Sequence, residues 1–371
     1  MSGKNYYAKR TNWFPVNALG PNISHYIYLD ANRNGIYDTA DKPIVKIAVK
    51  MTRPDGSTVV RRSNLNGFVN FRHSLTQEKA DVKEPGRYKF EVIVPDGWEI
   101  TSNNQVQYVT YKKDLKSRSG FVVDQVPIPV GVVQKLYIKG KVIINDEMNL
   151  NKIELLAIKD DLETEKKIDI LADGSFFADL EAGVWKVKLS CLESNLIKER
   201  IIEVKNNPVH ISNIKLQEDK PSKKQQQNIV DFEDITQLQI QKIPNGVADV
   251  NWENLIVTNK LLYKGEGYIN NTISGMYCGY NTSGTKVKIS KDEGFDFYGG
   301  YFGVAWLNNG EGETIHFKAW KGDTIIDQTS YELSALGPFW FDADYRDITL
   351  LEVWTEHCWQ FVTDRISVGT N

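Results

Sequence analysis

The sequence predicts an all-β protein built as a string of sandwiches, and three observations carry that expectation. Apolar and polar residues alternate with period two in Val45-Lys46-Ile47-Ala48-Val49 and in Tyr88-Lys89-Phe90-Glu91-Val92-Ile93-Val94. Such runs, rich in β-branched and aromatic side chains, fit half-buried strands. Turn formers punctuate them at Pro54-Asp55-Gly56, Asn66-Gly67, Pro95-Asp96-Gly97, Asp173-Gly174 and Asn308-Asn309-Gly310, where Gly and Asn accept the backbone angles that tight hairpins need. Helical periodicity is weak everywhere, and many short strands at this spacing point to sandwiches.

The chain has 371 residues, enough for two or three domains of about 100–150 residues. An internal echo divides the first half. Asn64-Leu65-Asn66-Gly67-Phe68 followed by Pro85-Gly86-Arg87-Tyr88 returns as Ala172-Asp173-Gly174-Ser175-Phe176 followed by Ala182-Gly183-Val184-Trp185. In both, a Gly turn feeds an aromatic strand and a second Gly opens the next, as in two related modules. The segment 217–228 is charged, Gln-rich and without apolar residues beyond Pro221, so it reads as a linker. The expected layout is an aromatic tail at 1–22, sandwiches at 23–130 and 131–216, the linker 217–228, and a Trp- and Tyr-rich domain at 229–371.

Composition narrows the function classes. A formal net charge of -3 argues against a dedicated nucleic-acid binder, which needs a basic excess against phosphate. Cys191, Cys278 and Cys358 form no CxxC pair, which argues against a cysteine zinc site; a bond between Cys278 and Cys358 stays open. No apolar run approaches the roughly 20 residues of a transmembrane helix. Met1 to Trp13 lacks the apolar centre of a signal peptide, so export implies a removed signal or another route, and a cytosolic location stays open on composition alone. The tail aromatics Tyr6, Tyr7, Trp13 and Phe14 suit packing on the first module or a strand donated to a neighbouring subunit.

The segment Asp30 to Asp41 carries the strongest chemical signal. Asp30, Asn32, Asn34, Asp38 and Asp41 place oxygen side chains at loop positions 1, 3, 5, 9 and 12, Gly35 takes the sharp turn at position 6, and Ile36 offers its carbonyl at position 7. This is the spacing of an EF-hand calcium loop, whose alternate residues point oxygens inward. The flanks, Tyr26 to Leu29 and Ile44 to Val49, read as strands, so a Ca2+ ion here would staple a strand connection. Asp41 is shorter than the usual Glu at position 12, which weakens bidentate reach.

The run Tyr28-Leu29-Asp30-Ala31-Asn32-Arg33-Asn34-Gly35, with Asp38, Asp41, Pro43, Ile44, Asn66-Gly67-Phe68, Pro85-Gly86-Arg87-Tyr88 and Pro95-Asp96-Gly97-Trp98, resembles an SdrD B-like repeat over Ile23 to Val130. That resemblance implies a calcium-stiffened, immunoglobulin-like sandwich of bacterial surface adhesins, with Asp30, Asn32, Asn34, Ile36, Asp38 and Asp41 as ligands. Residues 131–216 resemble a Cna B-type or carboxypeptidase-regulatory-like sandwich through the Gly-aromatic echo. In the last domain Asp231-Phe232-Glu233-Asp234, Ile243-Pro244-Asn245-Gly246, Trp252-Glu253-Asn254 and Phe361-Val362-Thr363-Asp364-Arg365-Ile366 resemble a β-jelly-roll domain of secreted bacterial proteins, akin to carbohydrate-binding modules. The resemblances together imply two immunoglobulin-like β-sandwiches in tandem followed by a β-jelly-roll sandwich.

By analogy with carbohydrate-binding jelly rolls, Glu233 and Asp364 are candidates to share a structural calcium; otherwise they are exposed carboxylates at strand ends. Sugar binding needs aromatic faces, and Tyr280, Tyr298, Tyr301 and Trp340 are the candidate platforms, while Trp306, Trp354 and Trp359 read as core. Enzyme signatures do not emerge. The five histidines show no HExxH or HxH spacing, and neither a GxSxG elbow nor a P-loop occurs. The sequence therefore predicts a non-enzymatic bacterial surface or secreted protein, extracellular, whose C-terminal domain binds a glycan or another cell-surface or matrix component. The alternatives are a self-associating structural subunit of a surface layer, filament or biofilm matrix and, ranked below it, a glycan-active enzyme.

Overall fold

The computed structural model describes residues 22–76, 78–144, 149–161, 163–193, 196–216 and 226–370. The aromatic tail with Tyr6, Tyr7, Trp13 and Phe14, and residues 217–225 of the expected linker, lie outside them. The all-β expectation holds. Among the described residues the longest helix is the single turn Glu266–Asn270, and no helix is long and apolar enough to cross a membrane. The chain forms two compact units, Met1–Gln134 and Lys135–Asn371.

The first unit is a sandwich of two sheets. In one, Asn22–Leu29 pairs antiparallel with Phe68–Arg72 and parallel with Val130–Gln134. In the other, Ala48–Thr52 lies between Thr58–Arg62 and Gly86–Ile93, and Gly86–Ile93 pairs onward with Val106–Lys113. Period-two alternation sends one face of each strand inward: Tyr88, Phe90 and Val92 are buried while their neighbours are not. The two sheets meet on aromatic contacts, with the His25 ring 4.4 Å from Phe90 and Phe71 5.2 Å from Phe90. The expected strand at Val45 to Val49 begins only at Ala48. Lys46 sits at φ +72°, and Ser63 Oγ bonds the amide of Ile47 and the carbonyl of Ile44, so a side chain takes the place of a ladder partner there.

The sequence echo is a repeat of pairing. In the second unit Tyr137–Ile143 pairs antiparallel with Ser175–Asp179 and parallel with Val209–Ile211. Ile153–Lys159 lies between Glu165–Ile168 and Gly183–Cys191, and Gly183–Cys191 pairs onward with Ile197–Val204. This is the connectivity of the first unit. The repeated Gly has a physical cause. Gly67 and Gly174 hold φ of +77° and +83°, and a Cβ there would stand 2.6 Å from the Ile27 carbonyl oxygen and 2.4 Å from that of Val142. Each turn crosses directly over the module's first strand, where only hydrogen fits.

The middle sandwich does not stop at residue 216 as a separate body. Val209–Ile211 pairs parallel with Phe339–Thr355, matching Val209 to Trp340, His210 to Phe341 and Ile211 to Asp342. The sheet continues through Val287–Val304 to Phe361–Thr370, with Gln226–Val230 on the other side of Phe361–Thr370. Residues on either side of 217–225 thus belong to one unit. Its two cores, one around Trp185, Leu155 and Phe176 and one around Trp252, Phe302 and Phe341, are fastened at this seam. The Arg200 guanidinium donates to Asp342 Oδ1 at 2.6 Å, to the Asp342 carbonyl at 2.6 Å and to Ser212 Oγ at 2.9 Å. His210 stacks on Phe339 at 3.8 Å, and Tyr331 donates its hydroxyl proton to the Ile211 carbonyl.

Trp354 departs from its expected core position. It lies half-buried on an outer face, stacked on His316 at 5.0 Å with Lys286 Nζ 4.5 Å from its ring centre. The cysteines are free: Cys278 is buried and Cys358 exposed, so the open question of a bond between them is answered by two thiols in different environments.

Two stability predictions follow from this packing. Burial lowers the His25 imidazole from 6.5 to about 3, so between those values the unfolded chain binds a proton that the folded one refuses. The first unit loses stability as pH falls through that window, at roughly 1.4 kcal/mol per pH unit. Thermal melts between pH 7 and 4 test this, and a folded His25→Leu variant should show a flatter acid limb. Arg200→Ala takes the cation and three hydrogen bonds from the half-buried Asp342 and from Ser212 and should cost about 2 kcal/mol. Tryptophan fluorescence in urea reads this selectively, because seven of the nine Trp residues belong to the second unit.

Candidate functional site

Two sites emerge, one in each unit. In the first, Asp30 terminates Asn22–Leu29 and is fully buried. Its two carboxylate oxygens accept the amides of Asn34 at 3.1 Å and Gly35 at 2.8 Å. Asp41 Oδ1 and Oδ2 accept the amides of Ala31 and Asp38 at 3.0 and 2.8 Å. Asp38 Oδ2 receives the side-chain amides of Asn32 and Asn34 at 2.9 and 2.8 Å, and its Oδ1 accepts the Ala40 amide. The Asn34 side-chain oxygen accepts the Ile36 amide at 2.7 Å. Five oxygen-bearing residues therefore hydrogen-bond to one another and to the backbone across a twelve-residue loop. The Ile36 side chain is 67% exposed, so the part of that residue able to serve the loop is its carbonyl.

The charge balance is uneven. Burial, with Asp30 and Asp38 adding repulsion, raises the Asp41 carboxyl to about 6 against the pull of its two backbone donors. The loop's basic residue, Arg33, turns outward to Glu99 at 3.0 Å and to the Gln134 carbonyl. The N–H ends of the Asn32 and Asn34 side chains point at Asp38, and a half-turn of each amide would present oxygen instead. The oxygens and the excess of negative charge suit a hard divalent cation, but they are not preassembled. Among the described residues no three acidic, imidazole or thiol groups converge as a metal cluster, so ligation would exchange N–H partners for the ion.

In the C-terminal part, Glu233 and Asp364 grip one loop. Asp364 is fully buried, which removes the exposed-carboxylate reading for it. Its Oδ2 accepts the amides of Ile273 and Ser274 at 2.8 and 2.9 Å, and its Oδ1 that of Arg365. Glu233 Oε1 accepts the amides of Met276 and Tyr277 at 2.8 and 2.7 Å, while Lys260 Nζ donates to the Gly275 carbonyl at 2.7 Å. In this arrangement both carboxylates order residues 273–277.

The aromatic candidates separate. Tyr280 is 6% exposed, packed with Tyr268 and Cys278, its hydroxyl 2.9 Å from that of Tyr263. It has no face to offer, and the expectation of a platform there is corrected. Tyr298 and Tyr301, from one strand, and Trp340, from another, line one cleft of about 700 Å³ beside the seam of the second unit. Tyr301 and Trp340 meet edge to face at 5.1 Å, and the Arg346 guanidinium lies 4.6 Å over the Tyr298 ring. The exposed side chains of Ile201 and Ile229 add apolar surface.

Sequence reading missed the cleft's polar groups. Asp342, bonded to Arg200, and Asp344, bonded to Arg346, line one wall. Arg346 also reaches Asp296 at 3.1 Å, and Lys205 pairs with Glu203 at 2.7 Å. Arg365 and Ser367 enter from Phe361–Thr370, with Gln227 donating to Ser367 Oγ at 2.6 Å. Burial raises the Tyr301 phenol, and the Arg365 charge holds it back. One signal was legible for Arg365: it is the only basic residue in the closing strand Phe361–Thr370.

The SdrD B-like domain family matches residues 21–131. No curated protein matches the chain. Among solved structures, the Bacillus anthracis TIE protein aligns at 10% identity and TM-score 0.24, over 88% of this chain and 50% of its own. This chain thus spans about half the length of that protein. BcpA, the major pilin subunit of Bacillus cereus, aligns at 9% identity and TM-score 0.24, over 52% of this chain and 71% of its own. The CBM51-2 and INT domains of Clostridium perfringens ZmpB align at 10% identity and TM-score 0.26, over 64% and 48%. Alignments this loose carry no inference about architecture or role.

Proposed function

We propose that the chain is a non-enzymatic bacterial surface protein in which a calcium-stiffened sandwich precedes a fused pair of sandwiches that binds a saccharide in its cleft. The SdrD B-like match over 21–131 supports the surface location and the calcium. Asp30, Asn32, Asn34, Asp38 and Asp41 with the Ile36 carbonyl would hold the ion, which when bound supplies the positive charge that the loop lacks. That charge would tie the end of Asn22–Leu29 to the turn entering Lys42–Pro43. Its role is stiffness, because the loop connects strands and leaves no helix pair to move.

The observation that carries the binding reading is the convergence of Tyr298, Tyr301 and Trp340 with hydrogen-bonding Asp, Arg and Gln side chains in one cleft. Apolar ring faces beside fixed polar groups are what a pyranose, with its C–H face and ring of hydroxyls, can use. A second reading, a structural subunit of a surface layer, filament or biofilm matrix, draws on the seam that fuses the two sandwiches. Calcium-dependent self-association without saccharide binding is its signature.

Two measurements test these assignments. With calcium a hundredfold above its Kd, linkage gives about 2.7 kcal/mol, so chelation should lower the melting temperature of residues 20–130 by roughly 10 °C and leave the second transition in place. A melting curve of an Asp30→Ala, Asp38→Ala double variant that still responds to chelator sinks the calcium assignment. On a glycan array the full chain should bind a defined saccharide set, and Tyr298→Ala should weaken that binding about tenfold or more. Tyr298 is the cleaner probe, because Trp340 also packs on the core of the middle sandwich; unchanged binding by the Tyr298 variant rejects the cleft.

A further inference from the structure

The closing strand Phe361–Thr370 is buried along its length except at Arg365. There the pairing with Val287–Val304 slips by one residue: Tyr301 faces Asp364, but Gly299 faces Ser367. Arg365 and Ile366 together oppose Gly300, so this is a β-bulge. Arg365 holds φ of +51°, the left-handed region that bulges usually give to glycine. A bulge re-aims a side chain, and strain kept at a non-glycine residue is a pointer to use.

The side chain so aimed enters the cleft beside Tyr301. The other cleft cations are already matched: Arg200 to Asp342, Arg346 to Asp344 and Asp296, Lys205 to Glu203. Among the described residues Arg365 has no carboxylate partner, and the Tyr301 hydroxyl has no hydrogen-bond partner. A guanidinium and a phenol without partners among the described residues, in a cleft whose other cations each face a carboxylate, form a receptor for one anionic group. The guanidinium fork matches a carboxylate through two parallel hydrogen bonds.

We infer that the cleft selects acidic saccharides, with Arg365 and Tyr301 receiving the carboxylate of a uronic- or sialic-acid unit while Tyr298 takes a ring face. This deepens the saccharide reading of the cleft and rests on it.

The test is calorimetry of the full chain against a panel of matched pairs: oligogalacturonate, oligoglucuronate and sialyllactose, each beside its methyl-esterified or carboxyl-reduced counterpart. The acid of at least one pair should bind about tenfold or more tighter than its neutral counterpart, as a charge-assisted bidentate pair does. Arg365→Gly suits the bulge, so its melting temperature should equal or exceed that of the parent. It should lose the preference for the acid, and Arg365→Lys should restore part of the preference. Equal binding of acid and neutral forms, or an Arg365→Gly protein that keeps the preference, overturns the inference and leaves the saccharide cleft standing. Binding of no pair overturns both.

Discussion

The second unit depends on one shared strand edge. Val209–Ile211 closes the middle sandwich and would present open backbone donors and acceptors; pairing with Phe339–Thr355 satisfies them. Arg200 sets the register, because it bonds both the side chain and the carbonyl of Asp342. A slip by one residue would put Phe341 or Ala343 in its fork and turn each side chain of the strand to the wrong face. Burying the pair costs desolvation, and three hydrogen bonds from one guanidinium offset it. The cleft is a consequence of this seam: Arg200, Asp342 and Trp340 hold the junction and also line the cavity.

Buried charge is handled in opposite ways in the two units. At the seam, Asp342 is raised by burial and held down by Arg200, so the chain supplies its own counter-charge. In the acidic loop, three carboxylates lean on backbone and side-chain amides, while Arg33 is committed to Glu99. Dipoles neutralise a carboxylate only in part, and Asp41 records the remainder. The pair Glu233 and Asp364 lies between these cases, since one oxygen of each accepts two amides of one loop.

Irregular backbone shapes the wall of the cleft. Asp344 and Arg365, two of its lining residues, hold φ near +50°, and the pairing of Val287–Val304 with both neighbours shifts register there. A regular ladder would alternate these side chains between faces. The irregularities break that alternation and let charged groups from neighbouring strands collect on one side.

The sequence by itself determined what is local. Period-two alternation marks strands such as Gly86–Ile93, because a pleated backbone sends successive side chains to opposite faces. The Gly67 and Gly174 turns mark a repeated module, since a Cβ would strike the strand beneath. The acidic loop is legible from a spacing of twelve residues. Alternation misjudged Val45 to Val49, where Ser63 replaces a ladder partner, and Trp354, whose apolar ring packs on an outer face. Only the tertiary structure decided that the sandwiches on either side of 217–225 form one unit, that Tyr280 is core, and that Tyr298, Tyr301 and Trp340 share a cleft with Arg365. Arg200 and Asp342 stand 142 residues apart in the chain. Neither carries a local pattern that names the other, so which distant edges meet, and what gathers beside them, follows from the packing alone.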